Sequence, residues 1–91
     1  MKQIKNIAKI IAQIKDEKEA QQFLDELLSS SEINVLSKRW RILTLLYQGI
    51  TQREIAKKLS VSLCNVTRGA KILKNNNAIV RKYLKEDIEN D

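Results

Sequence analysis

Residues 51–68 constrain the fold of this chain more than any other segment, because two short helical patterns lie there with only a few residues between them. Thr51 precedes Glu54 by three residues, the spacing of a capping box, in which a hydroxyl and a carboxylate each bind a backbone N–H at the start of a helix. Ser62 is placed to cap a second helix. Ile55 falls on the inward face of the first. The segment therefore predicts two capped helices joined by a tight turn.

The residues between and after these caps fit a helix-turn-helix. Ala56 is small enough to let two crossing helices approach closely, and Ser60-Val61 supplies the turn, with Ser60 at a position where Gly is usual. Val66 is a better candidate than Leu63 to pack against the first helix. In this motif the second helix enters the DNA major groove. An ordinary pair of amphipathic helices is the alternative interpretation.

Composition indicates a small helical protein with a polyanionic partner. The 91 residues suit one domain, 1–91, and the absence of Pro, two Gly, 43% hydrophobic and 31% charged residues are typical of an all-α fold. The formal net charge of +6 favours nucleic acid as a partner ahead of an anionic membrane.

Several functional classes lack the residues that they need. The chain has one Cys, Cys64, and no His, so we expect no disulfide, no metal site, no enzyme cofactor and no enzymatic activity. No apolar run approaches the roughly 20 residues that span a bilayer, and the first 15 residues do not resemble a signal peptide. We therefore expect a cytoplasmic protein without a membrane partner.

Apolar spacing predicts about six helices. The Ile-rich stripe of the first favours packing in a dimer over lying on a membrane surface, and Gly49 is expected to end the third helix in a left-handed conformation. The predicted segments are helices over 3–15, 16–28 and 32–48, which form the dimerisation region 3–48, a helix-turn-helix over 51–74, and a final helix over 78–88.

The stretch from Leu24 to Ile88 resembles the Trp repressor family. The resemblance is carried by Lys38-Arg39-Trp40-Arg41-Ile42, Gly49, Thr51-Gln52-Arg53-Glu54-Ile55, Val66-Thr67-Arg68-Gly69 and Leu73-Lys74. The first twenty residues show only a compatible helical pattern. Members of this family are established examples of helix-turn-helix docking and of water-mediated base readout.

The resemblance implies an all-α, intertwined homodimer that represses transcription by binding a palindromic double-stranded DNA operator when loaded with the corepressor L-tryptophan. Two arginines sandwich the indole ring in that family, and a glycine lets the ring approach the backbone. The other subunit meets the polar end of the ligand. The positions that correspond to the corepressor site are Arg39, Arg68, Gly69, Leu28, Ser29 and Ile72.

This chain departs from the family at two places. Ile72 stands where the best-known members have a Ser that meets the amino group of the ligand, and the connection Gly49-Ile50-Thr51 is one residue shorter. Both features favour an alternative function, a DNA-binding regulator that does not respond to tryptophan. A third hypothesis is a helical protein-interaction module without DNA binding.

The second helix of the motif supplies the expected base contacts. Leu63 and Cys64 could pack on thymine methyl groups, Asn65 has the amide geometry that suits adenine, and Thr67 is also placed on this face. Cys64 has an alternative reading as a redox switch. The residues expected to contact the DNA backbone are Gln52, Arg53, Lys57 and Lys58.

Overall fold

The computed structural model describes residues 2–90, with side chains from Ile4 onward. No strand is present in this range, and the predicted all-α class with six helices is confirmed. The helices are α1 (Lys2–Ile11), α2 (Glu17–Leu27), α3 (Ser30–Tyr47), α4 (Gln52–Leu59), α5 (Leu63–Lys74) and α6 (Ile79–Glu89). No helix within 2–90 is long and apolar enough to cross a membrane.

The chain forms two compact units, Met1–Asn34 and Val35–Asp91, and the boundary falls within α3. The prediction of a single domain over 1–91 stays a prediction. In the first unit none of residues 4–34 is buried. Its apolar side chains instead line an open depression of about 360 Å³. The apolar residues lining this depression are Ile11, Ile14, Ala20, Phe23 and Leu24.

Helix α1 ends at Ile11, four residues before the end of the predicted segment. The backbone N–H groups of Gln13 and Ile14 donate to carbonyls three residues back, at 3.0 and 3.1 Å, which tightens the chain into a turn. Asp16 then adopts an extended backbone and caps α2, its carboxylate accepting from Glu19 N at 2.8 Å. The apolar spacing continues through Ile14, but this turn and cap separate the two helices.

Ser29 caps α3. Its hydroxyl accepts from the Glu32 backbone N–H at 3.2 Å, and its own N–H donates to the Glu32 carboxylate at 2.9 Å. The two bonds form a complete capping box. They favour the ionised carboxylate, and the pKa of Glu32 therefore lies below its usual value of 4.5.

The core of the second unit consists of two clusters on either side of α3. The first joins α3 to the helix-turn-helix through residues that α3, α4 and α5 contribute, and the second joins α3 to α5 and α6. The buried members of the first are Ile42, Leu45, Ile55 and Val66, and those of the second are Leu43, Leu73 and Leu84.

Polar contacts outside the helix-turn-helix attach α6 to the rest of the second unit. Trp40 Nε1 donates to Asp87 Oδ2 at 3.0 Å, which links α3 to the last turns of α6. The Arg81 guanidinium donates to the carbonyls of Leu73 and Asn75, which lie at and just after the end of α5. The Leu73 carbonyl belongs to the last turn of α5, whose carbonyls lack partners within the helix, and the Asn75 carbonyl also accepts from Ala78 N at 3.0 Å. The α5–α6 loop is therefore held by a side chain that the sequence patterns did not single out.

Candidate ligand pocket and nucleic-acid interface

Three local features define the helix-turn-helix formed by α4 and α5. Thr51 Oγ1 accepts from Glu54 N at 3.3 Å, and Ser62 Oγ accepts from Asn65 N at 3.2 Å. Both predicted N-cap hydroxyl bonds are therefore formed, and the bond at Thr51 is the hydroxyl half of the predicted capping box. Ser60 adopts the left-handed conformation, with φ 54° and ψ 47°. Its position is the one where Gly is usual, because a left-handed backbone strains residues that carry a Cβ. The predicted helix-turn-helix geometry is thus present.

Packing sets the orientation of α5. Val66 is fully buried and contacts the cluster that contains the equally buried Ile55 of α4, whereas Leu63 remains 47% exposed. The expectation that Val66 rather than Leu63 packs inward is confirmed. Because Val66 and Leu73 both point into the core, the opposite face of α5 is exposed.

A recess of about 140 Å³ lies between α3 and α5. It brings together four residues predicted for the corepressor site and adds one, Asn65, that was predicted to contact bases. Two cationic side chains and one amide surround an otherwise apolar surface, and no acidic residue lines it. The lining residues are Arg39, Ile42, Leu43, Asn65, Arg68, Gly69 and Ile72.

The volume of the recess bears on what it can hold. Ligand pockets commonly measure about 300 Å³ or more, and this recess is smaller. A ligand seated on it would keep one side uncovered by the second unit. The recess therefore has the form of one wall of a site.

Gly69 faces the protein core rather than open space. A Cβ built at this position would lie 3.1 Å from Ile42 Cγ2 and 3.1 Å from Leu46 Cδ1, both on α3. These distances are shorter than nine in ten real Cβ contacts. The missing side chain therefore lets α5 approach α3 closely. Gly69 also lines the recess, and the role that the resemblance implies for it, letting a ligand approach the backbone, stays a prediction.

Leu28 and Ser29 belong to the first unit, and their predicted part in the corepressor site stays a prediction. Leu28 is partly exposed and follows α2. The Ser29 hydroxyl already accepts from Glu32 N and lies 3.3 Å from Ser31 Oγ. It is therefore used in capping α3.

Helical geometry divides the exposed surface of α5 into three strips. Asn65, Arg68 and Ile72 recur at spacings of three and four residues and form the strip beside the recess. Cys64 and Lys71, seven residues apart, lie on the outermost strip. Thr67 occupies the flank toward α4, where its hydroxyl donates to Gln52 Oε1 at 2.9 Å.

Lys71 is exposed on α5 and was not among the residues predicted to contact DNA. Helical spacing alone would have placed Lys71 on the same side of the helix, because it lies four residues after Thr67 and seven after Cys64. Arg53, Lys57 and Lys58 are exposed on α4 as expected. Among the residues with described side chains, no group of three or more acidic, Cys or His residues is arranged to hold a metal ion.

The fold and this site define a class: a small all-α helix-turn-helix protein with an arginine-lined recess beside its second motif helix. The sequence profile of the Trp repressor protein family matches residues 2–88. The chain belongs to the Trp repressor family. The match includes the N-terminal residues, where inspection of the sequence found no residue-level resemblance.

Individual relatives are similar in sequence to this chain over most of its length. A Trp operon repressor homolog of Xylella fastidiosa strain M23 is 35% identical over 83 residues, which cover 90% of this chain and 88% of the relative. A homolog of the same name from Chlamydia trachomatis serovar D is 34% identical over 80 residues, covering 87% and 85%. One from Haemophilus influenzae strain PittEE is 29% identical over 75 residues, covering 81% and 74%. No solved structure gives a significant match. These findings identify a repressor-like regulator.

Proposed function

We propose that this protein is an L-tryptophan-activated, homodimeric repressor that binds a specific DNA operator. The observation that carries the proposal is the recess beside α5, where Arg39 and Arg68 flank an apolar surface formed by Ile42, Leu43 and Ile72. Guanidinium planes stack favourably on indole faces, and Arg68 can also pair with a carboxylate. The absence of acidic lining residues suits a ligand whose carboxylate faces the recess.

A second copy of the chain would supply the wall that this recess lacks. Apolar side chains of α1 and α2 are exposed, with Ile4 at 62%, Ile11 at 50% and Leu27 at 52%. A small chain with so little buried surface commonly gains stability by oligomerisation. Leu28 and Ser29 of the other subunit are the residues that we assign to the polar end of the ligand.

The proposed mechanism couples the ligand to the orientation of α5. A ligand between α3 and α5 contacts Arg68, which lies on α5 next to its outer strip, and so fixes this helix against α3. In a dimer the two α5 helices would then match successive major grooves about 34–36 Å apart. The ligand shifts the equilibrium only if it binds the DNA-competent arrangement more tightly than the free one.

The decisive experiment is calorimetric titration with L-tryptophan, followed by measurement of affinity for a duplex selected from a random library in its presence. We expect one ligand per chain. The Arg68→Ala variant should bind tryptophan at least tenfold more weakly, a loss of about 1.4 kcal/mol, and should lose the tryptophan-dependent gain in DNA affinity.

Lys71→Ala is the matched control, because Lys71 is an exposed cation on α5 that does not line the recess. It should weaken DNA binding and leave the affinity for tryptophan unchanged. If Arg68→Ala still binds DNA more tightly with tryptophan than without, the recess is not the corepressor site.

A tryptophan-independent regulator of the same fold is the second candidate. Ile72 favours it, since this side chain lines the recess, is 40% exposed and offers no hydrogen bond to a ligand ammonium. One hydrogen bond contributes about 0.5–1.5 kcal/mol. Selective DNA binding that is identical with and without tryptophan would support this candidate.

A further inference from the structure

A hydrogen bond joins the two helices of the motif at their exposed edge. Thr67 Oγ1, in the second turn of α5, donates to Oε1 of Gln52, the first residue of α4, at 2.9 Å. Gln52 is partly buried and Thr67 is exposed. The contact links residues 15 positions apart, so it depends on how α5 packs on α4 and not on local sequence.

The bond determines which hydrogen-bonding groups remain available. The Thr67 hydroxyl has given its one proton to Gln52 and can now only accept. The Gln52 oxygen is occupied, while its amide nitrogen keeps two N–H donors. A DNA phosphate is an acceptor and needs a donor. In this pair the available donor is the Gln52 amide nitrogen and not the Thr67 hydroxyl.

The placement of the pair on α5 leads to the same conclusion. Cys64 and Lys71 occupy the outermost strip, whereas Thr67 lies on the flank toward α4 and is bonded to it. An amide that is held in one orientation loses less rotational freedom on binding than a free one. Thr67 can thus strengthen a DNA contact that it does not itself make.

We propose that Thr67 is a positioning residue that acts on DNA through Gln52, by holding the Gln52 amide so that its N–H groups donate to a phosphate. The proposal rests on the DNA-binding part of the proposed function. Phosphate contacts hold a protein on any duplex, whereas base contacts distinguish sequences. The pair should therefore set affinity and leave selectivity unchanged.

The test is a double-mutant cycle on DNA affinity, measured on both the selected duplex and a random duplex of equal length. Thr67→Val removes the donor with little change in shape, and Gln52→Ala removes the amide. Each substitution should lower the affinity for both duplexes by the same factor, roughly three- to tenfold as expected for one hydrogen bond. The double variant should lose no more than either single variant, because the two residues act as one unit.

Three further variants separate the roles. Thr67→Ser keeps the hydroxyl and should restore wild-type affinity. Gln52→Glu keeps the acceptor for Thr67 but places a negative charge where the amide nitrogen stood, and should weaken binding more than Gln52→Ala. Gln48→Ala is the matched control, since Gln48 is exposed beyond the end of α3, and should leave DNA affinity unchanged. Circular dichroism checks that each variant is folded.

The possible failures are distinguishable. Additive losses from Thr67→Val and Gln52→Ala, or a loss confined to the selected duplex, would overturn the positioning role while DNA binding stands. In the second case Thr67 would be reading a base. If the wild-type protein binds no duplex, the proposed function fails as well.

Discussion

At the scale of single residues, Gly69 sets how closely α5 approaches α3. Its hydrogen atom faces Ile42 and Leu46, and a methyl group there would require these side chains to give way by a few tenths of an ångström. Ile42 is 3% exposed and branched at Cβ, so it has little room to move. The absence of a Cβ at Gly69 therefore affects both the depth of the recess and the stability of the second unit.

We expect Gly69→Ala to lower the free energy of unfolding by about 1 kcal/mol. Overpacking typically costs about 1–3 kcal/mol, offset by up to about 1 kcal/mol from the better helix propensity of Ala. Displacement of α5 should also weaken tryptophan binding. Urea denaturation and calorimetry measure the two effects.

Gly49→Ala is the control for this prediction. Gly49 has φ +90° and no atom within 4 Å of a built Cβ, so the substitution strains the backbone without crowding any neighbour. It should also destabilise the fold but leave tryptophan affinity unchanged. Equal ligand affinity in wild type and Gly69→Ala would contradict our account of the recess.

At the scale of helices, the starts of α2, α4 and α5 were predictable because each cap is local. Asp16, Thr51 and Ser62 each accept from a backbone N–H three residues ahead, so the residues that form the cap are neighbours in sequence. The end of α1 was less predictable. Its apolar spacing extends to Ile14, beyond the turn that ends the helix at Ile11.

Helix α6 owes its attachment to contacts between distant residues, and Asp87→Ala tests one of them. Loss of the Trp40 Nε1 hydrogen bond should lower the free energy of unfolding by about 0.5–1.5 kcal/mol. The emission of Trp40, the single tryptophan of the chain, should shift as its indole loses this partner. Chemical denaturation followed by Trp40 fluorescence measures both.

Glu86→Ala provides the comparison, because Glu86 neighbours Asp87 on α6 and is likewise exposed. Its removal should change neither the emission maximum nor the stability by more than about 0.5 kcal/mol. If the two variants behave alike, the Trp40–Asp87 bond contributes nothing to the anchoring of α6.

At the scale of the whole molecule, exposed apolar surface predicts self-association. None of residues 4–34 is buried, and Leu36, which is 48% exposed, lines an open and largely apolar depression of the second unit. We expect a homodimer whose melting temperature rises with protein concentration, as mass action requires. Sedimentation equilibrium gives the dissociation constant directly.

Ile10→Glu should raise that dissociation constant by more than tenfold. Ile10 is 45% exposed on the apolar stripe of α1, and complete burial of such a side chain contributes roughly 1.5–3 kcal/mol. Lys9→Glu makes a larger change in charge next to it on the polar side, and should have a smaller effect. A monomeric wild-type protein at all concentrations would refute the dimer.

The sequence by itself determined the helical class, the caps at Thr51 and Ser62, the turn at Ser60 and the family, because these depend on residues close together in the chain or on short motifs. It also placed Arg39 and Arg68 as candidates for one site. The structure brings both to a single recess, and their binding role remains a prediction.

Only the tertiary structure decided which strip of α5 faces the recess, that Gly69 faces α3, and that Thr67 bonds to Gln52. The physical reason is that each depends on how two helices cross. The crossing is set by the packing of Ile42, Ile55 and Val66, a contact among distant residues that no local spacing specifies.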